Sequence, residues 1–186
     1  MTDIEGVAAE EERLASNDFD RNREQFLATL VGKLTSVLQE YVGLEESKGF
    51  LTMVGTDVGS QWNTEYRDAL DKPKMSREQI AAAMVDLKRR IGGDFKVVDI
   101  TEEKIVLRNS RCPFHEHAKG RQALCQMTSS VFGRICADNT GYAKVFLPQT
   151  IARGDNQCEV IIHLNEDDPE MYDYTINGDE YFGVDR

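Results

Sequence analysis

Apolar residues recur at helical spacing through the first half of the chain. Between residues 23 and 41 they follow the i, i+3, i+4 rule of one amphipathic helix, and Gly43 is a suitable place for that helix to end. A second helix is predicted from Phe50 to Leu70, where large apolar residues recur every four positions before Pro73. The apolar residues of the first helix form a wide stripe along it. A stripe of this width lies either in the core or at a dimer seam, and we expect the core by default.

Glycines and a capping pattern indicate how the helices pack and where the next one begins. Gly55 and Gly59 lie one turn apart on the apolar face of the second helix, which favours close helix packing over a ligand groove. The run Ser76-Arg77-Glu78-Gln79 has the form of a capping box and predicts a third helix, which Gly92-Gly93 ends.

The spacing of apolar residues then changes from 3.6 to 2, the period of a β-strand. Residues 95–100 and 104–108 predict a β-hairpin, residues 120–139 a further helix, and residues 142–147 and 157–164 two further strands. The chain shows no internal repeat and no linker that would divide it. The order ααα-ββ-α-ββ predicts an α+β fold, in which N-terminal helices precede an antiparallel sheet with one inserted helix.

The net charge of −11 is concentrated at the two ends of the chain. Residues 1–22 hold seven acidic and two basic residues, and residues 166–186 hold eight acidic and one basic residue. We therefore expect a single domain over residues 23–165, preceded by a disordered acidic extension and followed by an acidic, aromatic tail. Tyr172 and Tyr174 are expected to dock against the domain, with the last residues mobile.

The charge and the hydropathy of the chain also limit its partners and its location. Acidic ends repel phosphate groups and anionic lipid, so neither a nucleic acid nor a membrane is an expected partner. No apolar run has the length of a membrane span, and the acidic start does not resemble a secretory signal. We expect a cytoplasmic protein whose four cysteines are thiols or metal ligands rather than disulfides.

The cysteines are the residues of greatest chemical interest. Cys125 and Cys136 are eleven positions apart on one predicted helix, which separates them by about 16 Å along its axis. Both cannot bind one metal ion, and Cys136 is therefore expected to be a small buried residue. Cys112, Cys125 and Cys158 fall on three separate elements and could converge on zinc. The candidates for a fourth ligand are His117, His115, Glu116 or a water.

The spacing of Cys112, Cys125 and Cys158 is not diagnostic, because it contains no CxxC pair. Three interpretations stay open: a thiolate metal site with zinc or another metal, redox-active thiols, and purely structural cysteines. An iron–sulfur cluster is a less favoured form of the metal site. The chain has no GxGxxG, Walker A, GxSxG or HExxH motif, so an enzyme is not expected. His163 alternates with the apolar positions of the last strand and is predicted to be exposed.

Several short motifs of the second half together resemble one protein family, the methanogen output domain. They are Cys112-Pro113-Phe114, Leu124-Cys125, Phe132-Gly133, Gly141-Tyr142-Ala143, Ala152-Arg153-Gly154-Asp155 and Cys158. The resemblance extends over residues 23–164. That family is similar to the vinyl-reductase-type (4-vinyl reductase) sensor domains. It is more distantly similar to haem-NO-binding domains and to transport-complex subunits with a buried acyl-chain cavity.

The resemblance implies an α+β domain, often dimeric, that accompanies histidine kinases and other signalling modules. The vinyl-reductase-type relatives also imply zinc bound by cysteines of this region. We therefore expect a homodimeric sensor that signals to a partner protein and holds zinc through Cys112, Cys125, Cys158 and His117. A small apolar ligand is expected near Phe50, Trp62 and Tyr66. The alternative is a cysteine-dependent redox enzyme or reductase that acts on a small substrate.

Overall fold

The computed structural model describes residues 4–16, 22–169 and 178–183. The helices are α1 (Ile4–Ala15), α2 (Arg23–Val42), α3 (Leu44–Leu70), α4 (Arg77–Arg90) and α5 (Ala123–Thr140). The strands are β1 (Lys96–Ile100), β2 (Lys104–Asn109), β3 (Tyr142–Gln149), β4 (Cys158–His163) and β5 (Asp179–Phe182), and short 3-10 helices cover His115–Ala118 and Ile151–Arg153. The predicted α+β class is confirmed.

The five strands form one antiparallel sheet in the order β1-β2-β4-β3-β5. One face of its central strands is fully buried and carries Ile105, Leu107, Val145, Val160 and Ile162. The other half of the core comes from α4 and α5, through Ile80, Met84, Leu87, Val131, Phe132 and Ile135. The core therefore lies between one face of the sheet and these two helices.

Helices α2 and α4 both begin with a capping box. The side chains of Asn22 and Ser76 accept the backbone N–H groups of Gln25 (2.9 Å) and Gln79 (3.3 Å), and each glutamine side chain accepts the N–H of its cap residue. Gly43 separates α2 from α3 with φ at 89°, a value that residues with a Cβ rarely adopt. The predicted starts of α2 and α4 and the break at residue 43 are thus confirmed, whereas α3 begins at Leu44, before the predicted start at Phe50.

Close packing of α3 on α5 depends on two glycines. A Cβ added to Gly55 would lie 2.6 Å from the Cβ of Ser130, and one added to Gly59 would lie 2.9 Å from the Cβ of Arg134. Both distances are too short for two carbon atoms without a shift of the helices. The prediction that these glycines serve close helix packing is confirmed.

The apolar stripe of α2 lies outside the core. The residues of α2 that are buried are Gly32 and Thr35, which are small. The exposed positions of the stripe are Phe26, Leu27, Leu30, Leu34, Val37 and Tyr41, at 43–79%. The default expectation of a core position is wrong, because α2 packs on its neighbours through small residues. Among the described residues, no helix is both long and apolar enough to cross a membrane.

The N-terminal extension contains a helix where disorder is predicted. Helix α1 is rich in alanine and glutamate, which favour helices, and Arg13 in its last turn lies 3.4 Å from the carboxylate of Glu10. Val7 and Leu14 stay more than half exposed. The prediction of disorder is therefore wrong for Ile4–Ala15, which local helix propensity favours without the burial of these two side chains.

The acidic C-terminal tail supplies the fifth strand of the sheet. Strand β5 pairs with β3, from Tyr142 opposite Phe182 to Val145 opposite Asp179. Tyr181 is buried over Gly133, where an added Cβ would lie 2.0 Å from the tyrosine ring. The sheet thus continues past residue 165, the predicted end of the domain. Tyr172 and Tyr174, which are predicted to dock, lie outside the described residues.

His163 is buried, so the prediction of an exposed side chain is wrong. It is 1% exposed, and its Nδ1 donates to the carboxylate of Asp168, which is 3% exposed. The backbone after β4 stays close to the sheet, because Leu164 N donates to Glu103 O at 2.7 Å. The turn that follows then brings Asp168 back over the strand, which alternation along the strand does not predict.

Candidate functional site

Three of the four cysteines border one small cavity between the sheet and the N-terminal end of α5. Cys112 follows β2, Cys125 lies in the first turn of α5, and Cys158 begins β4. The cavity has a volume of about 30 Å³. One buried water needs at least roughly 10–15 Å³, so the space suits about two waters or a compact ligand. The remaining lining is mostly apolar: Phe95, Pro113, Phe114, Ala118, Leu124, Leu147, Ala152 and Val160, with Asn109, Thr128 and Thr150.

Strand register brings the cysteines together. In the antiparallel pair of β2 and β4, Cys158 lies opposite Asn109, three residues before Cys112. The turn between them is held by Asp94, whose carboxylate accepts the backbone N–H groups of Ser110 (3.0 Å) and Arg111 (2.8 Å). Pairing of the two strands therefore determines that the two thiols border the same space.

All three cavity thiols are held in surroundings that favour the neutral form. Burial raises the pKa of Cys112 and Cys158, and it raises the pKa of Cys125 to about 12. Hydrogen bonds oppose this effect in part. Ile151 N donates to the sulfur of Cys158 at 3.4 Å, and the Thr150 side chain hydrogen-bonds Cys125. The thiols are thus weak hydrogen-bond donors towards the cavity.

Lys88 lies behind the cavity wall and is a residue that the sequence analysis misses. It is 4% exposed, and its Nζ donates to Thr128 Oγ1 at 2.8 Å. The ammonium also lies over the rings of Phe95 and Phe132, 5.4 and 5.0 Å from their centroids. Burial lowers the pKa of Lys88 to about 8, and any thiolate formed at the three cavity cysteines would oppose this shift. In the sequence it resembles the solvent-exposed basic residues that follow it at the end of α4.

Asn109 adds an unused hydrogen-bond acceptor to the cavity wall. Its side chain lines the cavity and is 4% exposed. The Nδ2 group donates to the carbonyl oxygen of Arg111 at 2.8 Å, whereas the buried Oδ1 has no partner among the described residues. A buried acceptor without a donor costs about 1–3 kcal/mol, so this atom favours a ligand or a water that donates to it.

Two surface grooves adjoin the cavity. Cys112 also borders a groove of about 420 Å³, together with His115 and Asp155. Cys125 and Thr150 border a second groove of about 400 Å³. The cavity therefore lies between two solvent-facing depressions, with a cysteine at each.

The structure does not bring the predicted fourth ligands to the cavity. His117 lies within 3.3 Å of Thr29 Oγ1 and packs on Gly32 of α2. His115 lies 3.9 Å from the carboxylate of Glu24, and the carboxylate of Glu116 pairs with Lys119 at 2.8 Å. None of these three residues lines the cavity. The prediction of a buried Cys136 is confirmed, since that residue is fully buried in the core.

Zinc is the metal that the vinyl-reductase-type relatives imply. The donor types suit it, because three thiols border one space. Their placement does not, since no group of three or more Cys, His, Asp or Glu side chains within the described ranges could hold a metal ion. The residues therefore do not form a ready-made zinc site, and zinc binding stays a prediction.

Phe50, Trp62 and Tyr66 lie away from the thiol-lined cavity. Phe50 is 53% exposed on α3, while Trp62 and Tyr66 pack against the edge of the core with ring centroids 5.8 Å apart. The Tyr66 hydroxyl donates to Asp86 at 2.9 Å, and burial raises its pKa to about 12. A ligand site at these residues stays a prediction.

The fold and the cavity define an α+β domain of the class predicted from the sequence. Residues 30–163 match the family model of methanogen output domain 1, so the chain belongs to that family. A comparison with curated proteins found no match. The relationship to the vinyl-reductase-type domains stays a prediction.

A solved structure supports the same fold. The chain is similar to a trafficking protein particle complex subunit 3 from Naegleria fowleri, whose crystal structure was determined covalently bound to palmitic acid. The TM-score is 0.55 at 15% sequence identity, with 77% of this chain and 95% of that chain covered. At this identity the likeness shows the fold alone, and the predicted similarity to transport-complex subunits is confirmed at that level.

Proposed function

We propose that this chain is a non-enzymatic signalling domain whose thiol-lined cavity receives a chemical signal. One observation carries the proposal: three thiols and an unused amide acceptor line a cavity with two adjoining surface grooves, and a buried ammonium hydrogen-bonds a threonine of its wall. Membership of an output-domain family supports the signalling role. Perturbed ionisable groups around a concave site are typical of functional centres.

The size of the cavity supports a small ligand. The similar subunit 3 structure holds palmitic acid, whereas a space of about 30 Å³ suits a ligand the size of about two waters. A long acyl chain would need a much larger cavity. We therefore propose that the signal is a compact molecule that reaches the thiols from one of the two grooves.

A second copy of the chain is the partner that the exposed face of α2 fits best. Five of its exposed apolar positions recur at spacings of 3, 4, 3 and 4, the seam of a two-helix coiled coil, and they are Leu27, Leu30, Leu34, Val37 and Tyr41. Phe50, Met53 and Val54 of α3 are also more than half exposed. These eight exposed side chains can form the apolar centre of an interface, to which each partner of a stable complex contributes roughly 800 Å². We therefore propose a homodimer through α2 and α3.

The homodimer can be tested by placing one charged residue in the exposed apolar face of α2. Leu34→Glu introduces a carboxylate at a position that is 56% exposed in the monomer, so folding should tolerate it. Sedimentation should give twice the chain mass of 21.0 kDa for the wild type and the single-chain mass for Leu34→Glu. Val98→Glu, on exposed β1, is the matched control and should stay dimeric. A wild-type chain that sediments at 21.0 kDa at all concentrations would exclude the dimer.

The signalling role is tested by modifying the cavity thiols. The full chain is treated with methyl methanethiosulfonate, a small thiol reagent, and peptide mass spectrometry identifies the modified cysteines. We expect Cys112, Cys125 or Cys158 to react before buried Cys136, and the monomer–dimer equilibrium to shift several-fold. A variant with serine at the three cavity positions should not respond. Modification that leaves assembly unchanged would contradict a link between the cavity and the α2 surface.

Zinc is a second candidate occupant, and charge favours it. Three thiolates around one zinc ion carry one net negative charge, which the ammonium of Lys88 would neutralise. Elemental analysis of reduced chain purified with zinc should then find about one zinc per chain in the wild type and in Cys136→Ser. Serine at position 112, 125 or 158 should abolish binding. A wild-type chain without zinc would exclude this occupant.

A further inference from the structure

Lys88 is a buried cation for which the described residues provide no carboxylate partner. Its ammonium contacts one hydroxyl oxygen and two aromatic faces, and the lining of the adjoining cavity contains no acidic side chain. A charge removed from water is costly unless an opposite charge lies nearby, which agrees with the lowered pKa of this lysine. The site therefore favours an anion next to Lys88.

Thr128 connects this charge to the cavity. Its side chain lines the cavity, and its oxygen accepts the hydrogen bond of Lys88 Nζ. The hydroxyl hydrogen must then point elsewhere, and among the described residues the threonine donates no hydrogen bond that would hold it away from the cavity. Because the ammonium polarises this hydroxyl, the threonine presents a strengthened donor to a ligand in the cavity.

Asn109 and the size of the cavity further restrict which ligands can fit. The unused Oδ1 of Asn109 favours a ligand that itself carries a hydrogen. The volume of about 30 Å³ limits the ligand to one or two heavy atoms. An apolar wall with three thiols favours a soft, weakly hydrated ion over a strongly hydrated one. The ligand class is thus a compact monovalent anion with one hydrogen.

We propose that the cavity binds such an anion, with hydrosulfide as the simplest member. Thr128 donates to the anion, the anion donates to Asn109 Oδ1, and Lys88 neutralises its charge through Thr128. Binding is non-covalent, so no oxidant or reductant is needed. The inference rests on the proposed role of the cavity as the signal-receiving site and names its ligand.

The probe is sodium hydrosulfide, titrated anaerobically into the reduced full chain against sodium chloride of equal ionic strength. The melting temperature of the wild type should rise by about 5–10 °C when hydrosulfide is at a hundredfold excess over its Kd. Thr128→Val, which keeps the shape but loses the hydroxyl, should bind at least tenfold more weakly. Thr128→Ser keeps the hydroxyl and should bind as the wild type does. Lys88→Met should lose the response, whereas Lys74→Met, at an exposed position, should keep it.

Three results would overturn the anion site. They are an unchanged melting temperature in the wild type, an equal response of Thr128→Val, and an equal response to chloride. The broader proposal fails separately: hydrosulfide could bind as expected while thiol modification leaves the monomer–dimer equilibrium unchanged.

Discussion

Replacing Lys88 by methionine removes a buried charge and keeps a long apolar side chain. Burial lowers the pKa of Lys88 from its usual 10.5 to about 8, so the folded chain binds this proton more weakly than the unfolded chain does. Each pKa unit corresponds to about 1.4 kcal/mol, which makes the total penalty about 3 kcal/mol at neutral pH. We therefore expect Lys88→Met to have a free energy of unfolding about 2–3 kcal/mol higher than that of the wild type at pH 7.

The higher free energy of unfolding of Lys88→Met, relative to the wild type, should decrease as the pH rises. Between about pH 8 and pH 10.5 the unfolded wild-type chain binds more protons at residue 88 than the folded chain. Lys88 therefore becomes less destabilising as the pH rises through this window. The buried cysteines have raised pKa values and act in the opposite direction, but both chains contain them, so their effect largely cancels in the difference. The difference in free energy of unfolding between Lys88→Met and the wild type should therefore be largest below pH 8 and should disappear towards pH 10.5.

Urea unfolding measures this difference directly. The fluorescence of Trp62, the single tryptophan, reports the transition at pH 7, 8, 9 and 10 under reducing conditions and at one protein concentration. Lys74→Met is the control for loss of an exposed lysine and should change stability by less than about 0.5 kcal/mol. A wild type that is more stable than Lys88→Met at pH 7, or a difference that does not vary with pH, would refute this account of Lys88.

Three further substitutions test the packing of the domain. Gly55→Ala should lower the free energy of unfolding by about 1–3 kcal/mol in urea, because its Cβ meets Ser130, and an unchanged midpoint would contradict the close contact. Tyr181→Ala should cost about 3–5 kcal/mol by the same measurement, whereas a change below about 0.5 kcal/mol would argue against docked β5. Cys136→Ser buries a hydroxyl in the core and should cost about 1–3 kcal/mol; a neutral effect in thermal melting would contradict its burial.

The candidate site was predictable from the sequence only in part. Cysteine content and the motifs around Cys112, Cys125 and Cys158 indicated the region. Strand register decided that they border one space, because Asn109 lies opposite Cys158. The same pairing places the unused acceptor of Asn109 at the cavity. The sequence could not rule out His117 as a metal ligand. Its closeness to Cys112 along the chain does not reveal that its side chain is directed towards α2.

Local chemistry by itself determined α2 to α5 and the first four strands, but neither α1 nor β5. The capping box at Ser76, the left-handed turn at Gly43 and the change of apolar period after Gly93 each act within a few residues, so they can be read without knowledge of the fold. The same holds for the α+β class, which follows from the order of these elements.

Burial, by contrast, was decided by the tertiary structure. The apolar stripe of α2 stays exposed because small residues make its contacts, and Lys88 is buried because Phe95, Phe132 and Thr128 close over it. His163 is buried because a later turn returns to it with Asp168. A residue's own pattern specifies which face of an element it occupies, but whether that face meets solvent depends on segments distant in the chain. The cavity and the exposed apolar surface of α2 therefore both result from tertiary packing.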